Sequence, residues 1–120
     1  MYPGADIIEI SRFKDACLRN PRLVERLFTD RELEQKFANK DASLAARFAG
    51  KEAVLKALGT GLRGLSWHDI EIINNEMGEP IVYLSARAKD ITLMRGAGKG
   101  EVRVSLSHSK DLAIAIAVLT

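Results

Sequence analysis

Four ionisable residues, Arg47, Lys51, Glu52 and Lys56, fall inside the ten-residue stretch RFAGKEAVLK, residues 47–56. At about 100° per residue of helix, Glu52 projects within roughly 40° of Phe48 and about 60° of Leu55, on the apolar stripe and not opposite it. Glu52 and Lys56 are i,i+4 neighbours, which by itself describes an ordinary surface ion pair worth a few tenths of a kcal/mol. A carboxylate on an apolar arc needs more than that, because a desolvated acid stays ionised only beside a cation, a hydrogen-bond donor or a metal ion. Arg47 and Lys51 flank the arc on its other side. The spacing therefore predicts two or three cations and one acid converging where a polyanion with its metal could dock.

A second acid raises the same question. Asp6 lies on the strand face shared by Ile8 and Ile10, where a core residue would be expected, unless it only caps the strand or meets solvent. Two such carboxylates, completed by water and substrate phosphates, are how proteins commonly hold Mg²⁺.

The elements that must position these residues run helix first, sheet second. ADIIEI (5–10) is a β-branched strand, and SRFKDACLRN (11–20) is a helix with Ser11 as N-cap, ended by Asn20-Pro21. PRLVERLF (21–28) starts a short helix at Pro21, and TDRELEQKFANK (29–40) opens with Thr29 and Glu32 at capping-box spacing. The stretch from residue 41 to 61 predicts the long central helix, about 17 residues between an Asp41 or Ser43 cap and Gly59, with Gly50 inside it. DIEII and IVYL flank the turn NNEMGEP (74–80) as a hairpin, and Ser85 caps a helix through ARAKDITLMRG. EVRVSLS alternates as a half-buried strand, and LAIAIAVL (112–119) pairs small Ala113, Ala115 and Ala117 with large Ile114, Ile116 and Val118. That last strand is expected to be covered on both faces, one closely, by a helix or another subunit. The fold class is α+β, one domain over residues 1–120, with a mostly antiparallel sheet.

Composition narrows the function. The 120 residues are 47% hydrophobic and carry 18 Lys and Arg against 16 Asp and Glu, a net +2, too mild for wholesale nucleic-acid binding. One cysteine, Cys17, forms no internal disulfide, and no apolar run approaches the ~20 residues that span a bilayer, so a cytoplasmic protein without membrane contact is expected. Charge does cluster locally. Residues 11–31 hold six basic side chains (Arg12, Lys14, Arg19, Arg22, Arg26, Arg31) against three acidic ones, a patch suited to an acidic partner or simply a solvated helix face.

Three segments, GADIIEISRF, RFAGKEAVLKALGTG and VSLSHSKDLAIA, resemble in order and spacing the motifs of the bacterial holo-[acyl-carrier-protein] synthases, small 4'-phosphopantetheinyl transferases. One departure stands at the first: the family commonly reads Gly-x-Gly-x-Asp, whereas Pro3-Gly4-Ala5-Asp6 keeps only the Gly-x-Asp part. The resemblance implies the 4'-phosphopantetheinyl transferase fold and transfer of the phosphopantetheine arm of coenzyme A to a serine of apo-acyl carrier protein, in fatty acid biosynthesis, with release of adenosine 3',5'-bisphosphate. It implies that Asp6 and Glu52 hold Mg²⁺ with the coenzyme A pyrophosphate. Glu52, directly or through a water, would accept the serine proton, and Lys56 would stabilise the leaving group. Arg47, Lys51, Lys56, the Gly59-Thr60-Gly61 turn and His108 are implied coenzyme A contacts. Arg12 above all, with Arg19, Arg22, Phe13 and Phe28, is implied to meet the acidic helix of the carrier, and the family's homotrimer would place active sites at subunit interfaces.

Two other classes stay in view. A non-catalytic coenzyme A or carrier-binding module would keep the basic patch but could lose Asp6, Glu52 or Lys56. A small nucleic-acid-binding domain would show a larger charge excess and exposed stacking aromatics, whereas aromatic residues make up 6% of this chain.

Overall fold

The computed structural model describes all of residues 1–120. Strand β1 (Tyr2–Glu9) leads into α1 (Ile10–Arg19), α2 (Pro21–Leu27), the single turn α3 (Asp30–Leu33) and the long α4 (Lys40–Leu58). After a 3-10 turn at Trp67–Asp69 come β2 (Ile70–Asn74), β3 (Pro80–Leu84), α5 (Ala86–Met94), β4 (Val102–His108) and β5 (Leu112–Leu119). The strands form two antiparallel sheets, β1-β5-β4 and the hairpin β2-β3, so the expected α+β class and strand pairing hold.

Two helix starts differ from expectation. Ile10 closes no strand; it begins α1, with Glu9 as an N-cap that makes no side-chain bond, and Ser11 lies inside the helix. The α4 cap is Asn39 and neither Asp41 nor Ser43, because the Asn39 Oδ1 accepts the Ala42 N–H at 3.2 Å. Helix α4 thus gains an extra residue pair at its start and runs 19 residues to Gly59, whose φ of 81° only glycine adopts readily. Thr29 and Glu32 form the expected capping box, and Ser85 caps α5.

Helix α4 is the axis of the molecule. It packs on β1 and β5 along one side and on β2, β4 and α1 elsewhere, so its buried residues lie almost all round it. The β1–α4 approach is backbone to backbone: a Cβ on Gly4 would collide with the Ala53 carbonyl oxygen and sit 2.9 Å from the Ala57 nitrogen. Ala113, Ala115 and Ala117 of β5 are fully buried on the same side for the same reason. The opposite face is not covered within the chain: Ile7, Ile114 and Ile116 are 58%, 43% and 51% exposed. A second core gathers Phe13, Phe28, Leu27 and Leu44 between α1, α2 and α4.

Candidate active site

Asp6 and Glu52 do come together. The glycine contact at Gly4 draws β1 onto α4, and two residues on, Asp6 points to the helix turn that carries Glu52 and Lys56. Strand β1 pairs with β5 without a break from Tyr2 to Glu9, so Tyr2, at the position of the family's first glycine, leaves the strand intact. Lys56 Nζ donates to the Ala5 carbonyl at 2.8 Å and to Asp6 Oδ1 at 3.3 Å. The Glu52 carboxyl is pushed above its ordinary range, first by burial and then by the Asp6 charge, with Lys56 opposing. An acid held in this way takes up a proton more readily than an exposed carboxylate does.

The surroundings of Glu52 differ from the helical projection. Because α4 is buried on nearly every side, the arc holding Leu44, Phe48 and Leu55 is not a special stripe, and Glu52 sits half-exposed at a gap in the packing. That gap is a cleft of about 450 Å³ lined by Glu52, Leu55, Lys56, Gly59, Gly61, Leu62 and Trp67. Gly59 and Gly61 both have positive φ (81° and 58°), which turns the chain away from the helix and keeps the cleft open. No third His, Cys, Asp or Glu completes a metal cluster. Two hard carboxylates with room beside them fit Mg²⁺, which takes most of its remaining ligands from water and phosphate.

The expected convergence of cations is only half realised. Lys51 is fully buried and contacts no cleft: Nζ donates to Glu32 Oε1 at 2.6 Å and to the carbonyls of Trp67 (3.1 Å) and Ile70 (2.7 Å). Its three protons are used, so its expected place among coenzyme A contacts is corrected to an internal tie. Burial pushes its pKa down, opposed chiefly by Glu32. Arg47, also buried, faces away from Glu52. It stacks 4.3 Å over Phe37, donates to Asn74 Oδ1 (2.6 Å) and the Ser43 carbonyl (3.2 Å), and leaves its buried Nε without a partner. Arg47 and His108 line a small cleft of about 210 Å³ with Phe37 and Asn74, apart from the Glu52 cleft, while Thr60 is half-buried in the glycine turn with its hydroxyl bonded to the Gly61 carbonyl.

The basic patch borders a third and larger cleft, about 970 Å³, with Arg12, Arg19 and Arg26 at the rim and Ile8, Phe13, Phe48 and Trp67 inside. Arg12 is exposed and holds only a loose pair with Glu9 at 3.7 Å. Arg22 is exposed but outside this cleft. Phe28 is 1% exposed beneath Lys51, so its expected contact with a partner is corrected to a core role; Phe13 reaches the cleft only as part of its floor. Trp67 lines both the Glu52 cleft and this one and was given no role by the sequence reading; the signal available was a lone tryptophan directly after the glycine-rich turn.

The arrangement has known counterparts. The 4'-phosphopantetheinyl transferase superfamily matches residues 2–117. The holo-[acyl-carrier-protein] synthase of Moorella thermoacetica is 51% identical over 118 residues, 97% of this chain and 91% of that protein, and the Clostridium acetobutylicum protein of the same name is 48% identical over 97% and 94%. Among solved structures, the Helicobacter pylori holo-[acyl-carrier-protein] synthase in complex with coenzyme A superposes with a TM-score of 0.84 at 30% identity, covering 98% of this chain and 99% of that one. With Asp6, Glu52 and Lys56 brought together on β1 and α4 and likeness running the length of the chain, this protein belongs to the holo-[acyl-carrier-protein] synthase family of the 4'-phosphopantetheinyl transferase superfamily.

Proposed function

We propose that the chain, as one domain, transfers the 4'-phosphopantetheine group of coenzyme A to a serine of apo-acyl carrier protein in the Mg²⁺-dependent manner of a cytoplasmic enzyme of fatty acid biosynthesis. The observation that carries this reading is the meeting of Asp6, Glu52 and Lys56 at the mouth of a cleft walled by the Gly59-Thr60-Gly61 turn. Asp6 and Glu52 would hold Mg²⁺, which when bound neutralises phosphate charge and orients the pyrophosphate. Glu52 accepts the serine proton, directly or through a water, and its raised pKa suits that task. Lys56, tethered by the Ala5 carbonyl and Asp6, presents its ammonium to the departing phosphate. The glycine turn offers the N–H groups of Thr60 and Gly61, that of Gly59 being taken by the Leu55 and Lys56 carbonyls. Arg12 and Arg19 would receive the acidic carrier at the rim of the larger cleft.

Assembly as a homotrimer with sites at subunit interfaces is part of the proposal. Two features support it: the uncovered isoleucine face of β1 and β5, and the separation of Arg47 and His108 from Glu52 and Lys56, which a neighbouring subunit would remedy. No helix is long and apolar enough to cross a membrane. The test of the reaction is to incubate the protein with coenzyme A, apo-carrier protein and Mg²⁺ and weigh the carrier by mass spectrometry. A phosphopantetheine increment is expected; none, under conditions where a known transferase works, overturns the reading. Sedimentation velocity should give the mass of three chains, and a monomer would remove the interface sites.

A further inference from the structure

Helix α4 presents its less favourable end to a phosphate. The Gly59-Thr60-Gly61 turn follows the C-terminus of α4, where the aligned peptide dipoles leave the equivalent of about half a negative charge. Anions are favoured at the opposite end of a helix. Lys56 offsets part of this charge, but its ammonium is held by the Ala5 carbonyl and Asp6. Lys51 is buried with Glu32, and Arg47 turns to another cleft. Any further positive charge for this end of the Glu52 cleft has to come from outside the central helix.

Arg95 is placed to supply it. It ends α5, a segment outside the three motifs, and its guanidinium packs against Gly59, the residue that closes α4. A Cβ on Gly59 would collide with Nη1 and lie 2.7 Å from Cζ. The same guanidinium stacks over the Tyr2 ring, with Cζ 4.0 Å from the ring centre, and the Tyr2 hydroxyl donates to the Arg95 carbonyl at 3.0 Å. Tyr2 opens β1, the strand that carries Asp6, so one side chain joins the start of that strand to the end of the Lys56 helix. Arg87, near the other end of α5, is neutralised by Asp69 at 2.6 Å. No ion pair of the chain includes Arg95, and its buried Nε has no partner. Packing alone would be served by an uncharged side chain of similar length, without the cost of half-burying an unneutralised cation. A guanidinium, planar and weakly hydrated, is the cation that tolerates such a place.

We propose that Arg95 is a positioning residue for the transfer reaction, an inference that rests on that reading: it holds the glycine turn against β1, and its charge offsets the C-terminal end of α4 so that the turn accepts phosphate groups. Calorimetry with adenosine 3',5'-bisphosphate and with coenzyme A, both in Mg²⁺ buffer, separates this from a packing role. Arg95→Met should bind both ligands about tenfold more weakly than the wild type, with a shallower dependence on salt. Arg95→Gln, a second neutral replacement, should match it. Arg95→Lys keeps the charge and loses the flat stack on Tyr2, so it should bind both ligands within about threefold of the wild type. The carrier KM at saturating coenzyme A should change less than about twofold in each variant, which also shows that the variants are folded. Neutral variants that bind both ligands as the wild type does, or a lysine variant that loses as much as they do, overturn the role of Arg95 while wild-type transfer stands. A wild-type protein that leaves the carrier unmodified overturns the transferase reading and this role with it.

Discussion

Glu32 and Lys51 meet at 2.6 Å with neither side chain exposed to solvent. The pair joins four segments. Glu32 also accepts from the N–H groups of Thr29 and Ile72, both at 2.9 Å, and Lys51 reaches the carbonyls of Trp67 and Ile70, so α3, α4, the turn at Trp67 and β2 share one polar knot. Removing one partner strands the other charge in the core. Lys51→Met should lower unfolding free energy by about 3–5 kcal/mol, read from denaturant midpoints, far more than the loss of an exposed ion pair.

Glu52→Gln separates chemistry from folding. Turnover should fall by roughly 10²–10⁴-fold in the carrier-modification assay while the fold persists. The raised Glu52 pKa means the folded protein favours the protonated form: this group's contribution is fully present below its ordinary value of 4.5 and is lost as pH rises through the raised value. The neutral glutamine escapes that loss. The variant should therefore melt higher than the wild type near pH 7 and at the same temperature near pH 4, and equal melting at both would deny the raised pKa.

Asp69 titrates the other way. Burial works against its charge, but the Ser66 N–H, the Ser85 hydroxyl and the Arg87 guanidinium outweigh burial and bring its pKa from 3.8 to about 2. Its contribution is present above 3.8 and is lost as pH falls through about 2. Asp69→Asn should destabilise the protein by roughly 2 kcal/mol at neutral pH, at 1.36 kcal/mol per pH step, and a stability difference that persists at about pH 2 would assign the effect to packing instead.

Arg12→Glu tests the carrier surface. Exposed and only loosely paired with Glu9, Arg12 should matter to encounter more than to folding. The carrier KM should rise about tenfold, with a weaker dependence on salt and coenzyme A affinity changed less than about twofold. An unchanged KM removes Arg12 from the interface.

Gly4→Ala should act at a distance from every charged group. The added methyl has no room against the Ala53 carbonyl, so β1 must move off α4, at about 1–3 kcal/mol, and Asp6 moves with it. Activity should fall further than the lost stability explains, which a comparison of kcat at temperatures well below the melting point can read.

Periodicity and caps made most of the fold legible: Pro21 marks a helix start by its fixed φ, and the Thr29 and Glu32 box, Ser85 and Gly59 mark boundaries through local hydrogen bonds that depend on neighbours in sequence. The α4 start was misplaced because Asn39, Asp41 and Ser43 are all competent caps, and which one acts depends on where the preceding loop delivers the chain. Glu52 and Lys56 were legible as i,i+4 neighbours on one helix, whereas the approach of Asp6 to them depends on how β1 packs on α4. Lys51 misled because its partner, Glu32, is 19 residues away, and a lysine in a basic motif carries no mark that it faces inward. Phe28 misled similarly, since an aromatic residue beside a charged helix fits a partner contact and a second core equally well. Trp67 was missed because a cleft wall is a property of three segments at once.

Strand β5 sends alanines inward and isoleucines outward, an inversion of the usual distribution of bulk. From Ala113 to Ala117 the inward side holds only methyl groups, so there is no side-chain volume there to trade: any change in size moves a backbone, and with it the spacing of Asp6 from Glu52. In the proposed trimer the outward side carries a constraint of its own, because its shape sets how Arg47 and His108 of one copy approach Glu52 and Lys56 of the next.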